Sequence, residues 1–277
     1  FRIRLGTAIV PVYTHTPAVL ASAVAALHRL APGRFVLGLG ASSATMMKGW
    51  HGLTFDKPRT RVAETVEVLR RILAGEQVTF EGQTLRTEGF RLQSGVAQKV
   101  SIHLAALRPG MLELAGAVAD GVILHLVPLA ALPKVMAHLA VGAERAGRDL
   151  TAFEVVCRFN VLVTEDRQAG RDLFRRFVSQ YFFSGVYNQY FRWAGFEQPA
   201  RNAMAGFLAG DRIRTAEAIS DEVVDALGLI GPAVELQERL QQFKEAGIDT
   251  AILHPIALDE AGQQASLAAL SPLSDIR

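Results

Sequence analysis

Phe35-Val-Leu-Gly-Leu39 is a short apolar run, too brief for a helix and without the alternation of a half-exposed strand, as expected for a strand buried on both faces. Gly38 and Gly40 allow close approach of other backbone at its end. On its amino side, Arg2-Ile-Arg-Leu-Gly-Thr-Ala-Ile-Val10 is rich in β-branched residues, and the segment from Pro17 to Leu30 places Val19, Leu20, Ala23, Val24 and Leu27 on one helical face. On its carboxyl side a loop from Ala41 to Pro58 is expected, and then a helix from Arg61 to Leu73 that stops at Gly75. Ile102-His-Leu-Ala105, Gly121-Val-Ile-Leu124, Phe153 to Thr164 and Thr250-Ala-Ile-Leu253 repeat the strand signal, each separated from the next by helical periodicity. Strict alternation of strand and helix implies parallel pairing with right-handed crossovers, so the chain is expected to be α/β.

Six such βα units are two short of a closed (β/α)₈ TIM barrel, and an open remnant would expose unpaired strand edges. The expectation is therefore a single barrel domain over residues 1–277 that lacks about two N-terminal strands; the first residue, Phe1, is not a Met. Val78 to Leu85 reads as a hairpin turning at Glu81-Gly82, an excursion near residues 77–92. Residues 167–227 are too many for one crossover helix and are expected to be a helical insertion over the barrel mouth, rich in aromatics from Tyr181 to Trp193.

Composition excludes several classes of function. Twenty-nine Lys and Arg against 27 Asp and Glu are scattered rather than striped, which argues against nucleic acid. Charges or glycines interrupt every apolar run before the roughly 18 residues a membrane helix needs. The single cysteine, Cys157, reads as a buried inert thiol and suits a reducing cytoplasm. No close His or carboxylate spacing suggests a metal, and no Ser-His-Asp or Cys-His arrangement suggests hydrolysis. The glycine pattern stops at Gly40, so it is not a dinucleotide fingerprint.

In a barrel the chemistry sits where strands end. Those ends are Thr7 to Pro11, Gly38-Leu-Gly-Ala-Ser-Ser43, Ala105-Ala-Leu-Arg-Pro-Gly110 and Leu124-His125, where small residues and backbone dominate. Such walls suit a flat ring, and Ser42, Ser43 and free N–H groups suit its polar edges or a phosphate; each run alone is equally compatible with close helix-on-strand packing. Arg108, just before Pro109, reads either as an anion ligand at a helix start or as a surface ion pair. Of His15, His51, His103 and His125 near strand ends, His103 reads as packing, and His51, beside Trp50, is the candidate for a catalytic or substrate-wall role. His125 and Tyr187 complete the candidate substrate pocket.

These motifs in this order, from Leu5-Gly-Thr-Ala-Ile-Val-Pro-Val-Tyr13 through Trp50-His-Gly52 and Ala119-Asp-Gly121 to Gly231-Pro-Ala-Val-Glu-Leu236 and Phe243-Lys-Glu-Ala-Gly-Ile-Asp249, resemble the luciferase-like monooxygenase superfamily. Ser42-Ser43 followed by Trp-His-Gly is most similar to its coenzyme F420-dependent branch. The resemblance implies a bacterial-luciferase-like barrel, a homodimer, and hydride transfer between F420 and a small organic substrate. It puts Thr7, Ala41, Ser42 and Ser43 beside the deazaflavin or its tail, matches Ala8–Ile9 to a non-proline cis peptide, and matches Ala105, Ala106, Leu107, Arg108 and Gly110 to the loop holding the cofactor phosphate. Ser43 stands where the branch's sugar-phosphate dehydrogenases carry a catalytic glutamate, and His15-Thr16 replaces an Arg-His pair, so glucose 6-phosphate is not the expected substrate. An FMN-dependent two-component monooxygenase and a cofactor-binding barrel without turnover are the alternatives.

Overall fold

The computed structural model describes residues 3–93, 95–96 and 98–270, with only the backbone of residue 212. In chain order the elements are β1 (Leu5–Gly6), β2 (Val10–Pro11), α1 (Pro17–Leu30), β3 (Phe35–Gly40), α2 (Ala44–His51), α3 (Pro58–Leu73), β4 (Val78–Glu81), β5 (Arg86–Phe90), β6 (Ser101–Ala105), α4 (Pro109–Val118), β7 (Gly121–His125) and α5 (Leu132–Arg145). There follow β8 (Glu154–Val163), α6 (Arg167–Phe183), α7 (Gly185–Trp193), α8 (Glu197–Leu208), α9 (Arg212–Glu217), α10 (Asp221–Leu227), β9 (Leu229–Gly231), α11 (Ala233–Glu245), β10 (Thr250–Pro255) and α12 (Glu260–Leu270). Two compact units divide the chain, one of Phe1–Ile123 with Ala137–Glu154 and one of Leu124–Met136 with Val155–Arg277.

In the first unit β3 is central. It pairs in parallel with β1 (Leu5↔Phe35) and β2 (Val10↔Leu39) on one side and with β6 (Val36↔Ser101) on the other, and β6 pairs with β7 (His103↔Gly121). Leu37, Leu39, Ile102, Leu104 and Val122 are buried, which explains why these strands read as continuous apolar runs. Helix α1 packs on α3, burying Leu20 and Val24 with Val62, Val66 and Leu69. The register at the top of β3 depends on one contact. The Thr7 hydroxyl donates to the Gly38 carbonyl and accepts from the Gly38 N–H, both at 2.9 Å. A Cβ on Gly38 would lie 1.9 Å from the Thr7 carbonyl oxygen.

Two local expectations are corrected here. The stretch from Ala41 to Pro58 is not all loop, because α2 forms within it: Ser43 Oγ accepts from the Met46 N–H at 3.3 Å, and Gly52, at φ 64°, closes the other end in the left-handed region. Trp50 and His51 therefore ride on a helix. The hairpin exists, but its second strand is Arg86–Phe90 rather than Gln83 to Leu85. Glu64 on α3 accepts from the Gln83 and Thr84 N–H groups at 2.6 and 3.0 Å, which holds that stretch as the turn.

In the second unit β8 pairs in parallel with β10 along Val156 to Val161 and with β9 from Val161 to Val163. Strand β9 was not anticipated; three residues between two helices are too few to show a period. Residues 167–227 form the five helices α6 to α10. Phe174, Phe182, Tyr190 and Phe191 are buried, with Phe182 stacked on Phe191 at 4.3 Å, and the buried Asn188 amide donates to the Phe182 and Ala200 carbonyls. Of the aromatics from Tyr181 to Trp193, Phe182, Tyr190 and Phe191 are core and the others are half-buried. No helix among the described residues is long and apolar enough to cross a membrane.

Gly38→Ala is expected to cost about 3 kcal/mol or more of unfolding free energy, because the clash is with backbone and no rotamer relieves it. Urea denaturation measures it; a midpoint within error of the parent would show that Thr7 can yield.

Candidate active site

The ends of β2, β3 and β6 meet around Gly40. A Cβ there would lie 3.0 Å from Ile9 Cδ1 and 3.2 Å from the Ala105 Cβ, so the surface they share is made of backbone, methyl groups and one isoleucine. The Ala8–Ile9 peptide is cis. Beyond Gly40 the chain turns through half-buried Ala41, Ser42 at φ 65° and Ser43, the cap of α2. Ser42 Oγ lies 3.5 Å from Met46 Sδ. The Thr7 hydroxyl is wholly engaged with Gly38, so its part here is to fix the course of Ala8 and Ile9.

Next to this surface is the start of α4. Ala106 is buried and donates its N–H to the Ile123 carbonyl at 3.2 Å, while Leu107 is half-buried and Arg108 is exposed in extended geometry at the cap position. Pro109 occupies the first helical position, where a missing N–H costs nothing. The first-turn amides carry the positive end of the helix dipole, and an anion there is stabilised without any side chain. A Cβ on Gly110 would be 3.9 Å from Arg59 Nη1. Arg59, in the first turn of α3, thus brings a second guanidinium to the same helix end. Sequence reasoning passed it over, although Pro58-Arg59 repeats the arginine-and-proline helix start of Arg108-Pro109 in reverse order.

The second unit holds a different constellation. Tyr187 Oη on α7 lies 2.9 Å from His125 Nδ1 at the end of β7. His125 Nε2 receives the Asn160 Nδ2–H at 3.2 Å, and Asn160 Oδ1 accepts from His254 Nδ1 at 3.1 Å. An imidazole that accepts at Nε2 carries its proton on Nδ1, so His125 donates to the Tyr187 oxygen. Burial, with the Arg158 guanidinium and His254 adding to it, pushes His125 down to about 3, which keeps the ring neutral. Burial raises Tyr181 and Tyr187, which stay protonated. The Tyr181 ring stands edge-on to His125 at 5.4 Å and to Tyr187 at 4.7 Å.

A profile of the luciferase-like monooxygenase family matches residues 1–250. The chain belongs to that family. Among its relatives, a 5,10-methylenetetrahydromethanopterin reductase of Archaeoglobus fulgidus is 27% identical over 264 residues, spanning 93% of this chain and 79% of that protein. An F420-dependent glucose-6-phosphate dehydrogenase of Nakamurella multipartita is 32% identical over 173 residues, covering 60% of this chain and 51% of the relative. Among solved structures, the coenzyme F420 dependent tetrahydromethanopterin reductase from Methanopyrus kandleri superposes with a TM-score of 0.78 at 19% identity, over 99% of this chain and 84% of the other. That likeness fixes the fold as a partial (β/α)₈ barrel of the bacterial-luciferase kind.

Within this family frame the candidate residues fall into separate groups. Ile9, Ala105 and the Ala41–Ser43 turn gather at the β3 end, and Gly110 meets Arg59. His125 and Tyr187 are in direct contact. Trp50, 71% exposed, and exposed His51 occupy the last turn of α2. His103 is buried in β6, 3.1 Å from Ser101 Oγ and 3.6 Å from Glu154 Oε2, which is the packing role read from its place within a strand. His15 Nδ1 lies 2.8 Å from Thr14 Oγ1. Cys157 is buried and its thiol is pushed up by burial, an inert sulfur. Sequence reasoning missed Asn160, Arg158 and His254. The first two are polar residues in an apolar strand, and the third follows Leu253 where the strand-end rule applies.

His125 makes stability depend on pH. Between about pH 6.5 and about 3 the unfolded chain binds a proton that the folded chain does not, so stability falls as pH falls through that window, by up to about 1.4 kcal/mol per unit. Denaturation curves at several pH values are expected to show this slope, and His125→Gln is expected to flatten it. An unchanged slope in the variant would sink the assignment.

Proposed function

We propose that this chain belongs to a coenzyme F420-dependent oxidoreductase that transfers a hydride between C5 of the deazaflavin and a small organic substrate. Relatives named as F420-dependent enzymes support the cofactor. The observation that carries the reading is the pairing of a flat wall with an anion site in the first unit. At the wall, Gly38 and Gly40 remove side chains from the strand end; at the anion site, the first turn of α4 meets Arg59 and Arg108.

Those residues fit the group. Gly110 leaves room between the helix start and the Arg59 guanidinium, and both donors there are permanently charged, which suits a phosphate. Ala105, Ala106, Leu107, Arg108 and Gly110, with Arg59, would hold the phosphate tail; Thr7, Ala8, Ile9, Ala41, Ser42 and Ser43 would line the ring. F420, when bound, supplies a ring carbon that accepts or releases a hydride. The chain's own contribution is position and dryness: the Thr7–Gly38 contact holds the Ala8–Ile9 segment, and buried apolar strands beneath exclude water. Trp50, His51, His125 and Tyr187 are assigned to the substrate side. Ser43 caps a helix and carries no acid, so a sugar-phosphate oxidation that needs a carboxylate there is not part of the reading. A homodimer in the cytoplasm belongs to the same reading, on the family resemblance.

Titration of the protein with F420 and with FMN tests this. F420 is expected to bind more tightly, and Arg108→Gln and Arg59→Gln are each expected to weaken it about tenfold, the worth of one charged hydrogen bond. A deazaflavin riboside without the phosphate should not distinguish these variants from the parent. FMN binding as tight as F420, with oxygen consumption supported by reduced FMN, would replace the reading by a flavin-dependent monooxygenase.

A further inference from the structure

We propose that the second unit carries a recognition site for an anionic group of the substrate, a carboxylate or a phosphate, with Arg158 as ion-pair partner and the Tyr181 and Tyr187 hydroxyls as hydrogen-bond donors. The proposal rests on the reading above for its biological meaning, not for its geometry.

Arg158 lies on β8, opposite Ile252 in register and two residues before Asn160. Side chains two apart on a strand share a face, so Arg158 points to the side on which Asn160 bonds His125 and His254. That side is walled by α6 and α7: Phe177 stands 6.1 Å from His254, and Tyr181 and Tyr187 stand 5.4 and 5.9 Å from His125, centroid to centroid. The result is a cluster with aromatic rings on one side and an amide and two imidazoles beside Arg158.

Its chemistry is one-sided. Arg158 is half-buried and, among the described residues, makes no ion pair and no hydrogen bond. Three other arginines of the same unit are satisfied: Arg171 is bound by Asp221 and Asp225, Arg175 by Asp172 and Asp221, and Arg239 by the carbonyls of Asp225 and Gly228. Arg158 acts on His125, His254, Tyr181 and Tyr187 alike, with His254 adding to it at His125 and Tyr181 opposing it at Tyr187, and among the described residues no carboxylate acts on any of them. Because His125 Nδ1–H fills the Tyr187 oxygen from behind, the phenol's own proton is left to point onward. A half-buried guanidinium without a counter-charge is open to an anion, and a ligand carboxylate or phosphate matches its fork in two parallel bonds.

The test uses the chain without cofactor, with histidine side chains isotope-labelled and the His125 and His254 resonances assigned through His125→Gln and His254→Gln. Inorganic phosphate and acetate are titrated separately at constant ionic strength and neutral pH, which tells the two anion types apart. A saturable shift of both imidazoles is expected with at least one probe. Arg158→Gln should weaken it about tenfold or more, with Arg158→Lys between the two. Arg108→Gln should leave it unchanged, since Arg108 is not among the groups that act on the two imidazoles. Tyr187→Phe, which keeps the ring and removes the donor, should weaken binding several-fold and serves where Arg158→Gln does not fold. No saturation in the parent chain, or equal affinity in Arg158→Gln or in Tyr187→Phe, overturns the proposal. F420 affinity is measured independently, so loss of the anion site and loss of the cofactor reading are separate results.

Discussion

The first unit is organised by the absence of a side chain at Gly38. The Thr7 carbonyl oxygen lies 1.9 Å from where a Cβ would begin, and the Thr7 hydroxyl closes the gap by both giving and taking a hydrogen bond with the Gly38 backbone. With Thr7 fixed, the next residues must cross the top of β3, which brings Ile9 to Gly40; Gly40 in turn admits the methyl of Ala105 from β6. Two glycines on one strand therefore draw three strand ends together and strip them of bulk. What remains is a surface of backbone and small side chains, which in the proposed reading holds a ring by shape and backbone polarity without competing side-chain chemistry.

Charge is supplied at the margin of that surface. Helix α4 presents its first turn, and the two arginines come from different elements, Arg108 from the cap itself and Arg59 from the start of α3. Both start regions use proline at the first helical position, so neither helix loses a hydrogen bond by opening there. In the proposed reading affinity and chemistry are thus separated: the charged end would anchor the cofactor, while the uncharged end leaves reactivity to its ring.

The fold was legible because its signals repeat. Each strand is a short apolar run with a helix after it, and parallel pairing follows from alternation alone. What escaped was decided by single side chains acting at a distance. Glu64, on a helix, captures the Gln83 and Thr84 amides and so moves the hairpin turn, and no local pattern in residues 77–92 encodes that. Helix α2 was readable, since Ser43 and Gly52 are ordinary caps, but only Met47 is buried along it, and a helix with so little apolar periodicity resembles a loop. The candidate site was legible at strand ends with distinctive small residues. It was not legible at Asn160 or Arg158, whose neighbours are apolar and whose partners arrive from far along the chain.

Comparison of two polar clusters, one in each unit, makes the meaning of Arg158 sharper. In the first unit Arg4 reaches Glu154 at 2.7 Å, and Glu154 lies 3.6 Å from His103, so cation, anion and imidazole close on one another. Burial lowers His103, and Glu154 works against that shift, as befits a group whose neighbours already balance. In the second unit the same residue types recur, an arginine and histidines on strands, with an amide where the carboxylate would be. Asn160 can orient two imidazoles but cannot neutralise a guanidinium. Desolvation of an unpaired charge is costly, so such an arrangement persists where another molecule completes it. A carboxylate at position 160 would close the cluster as Glu154 closes the other, and the difference between a structural ion pair and the proposed binding site comes down to that one amide.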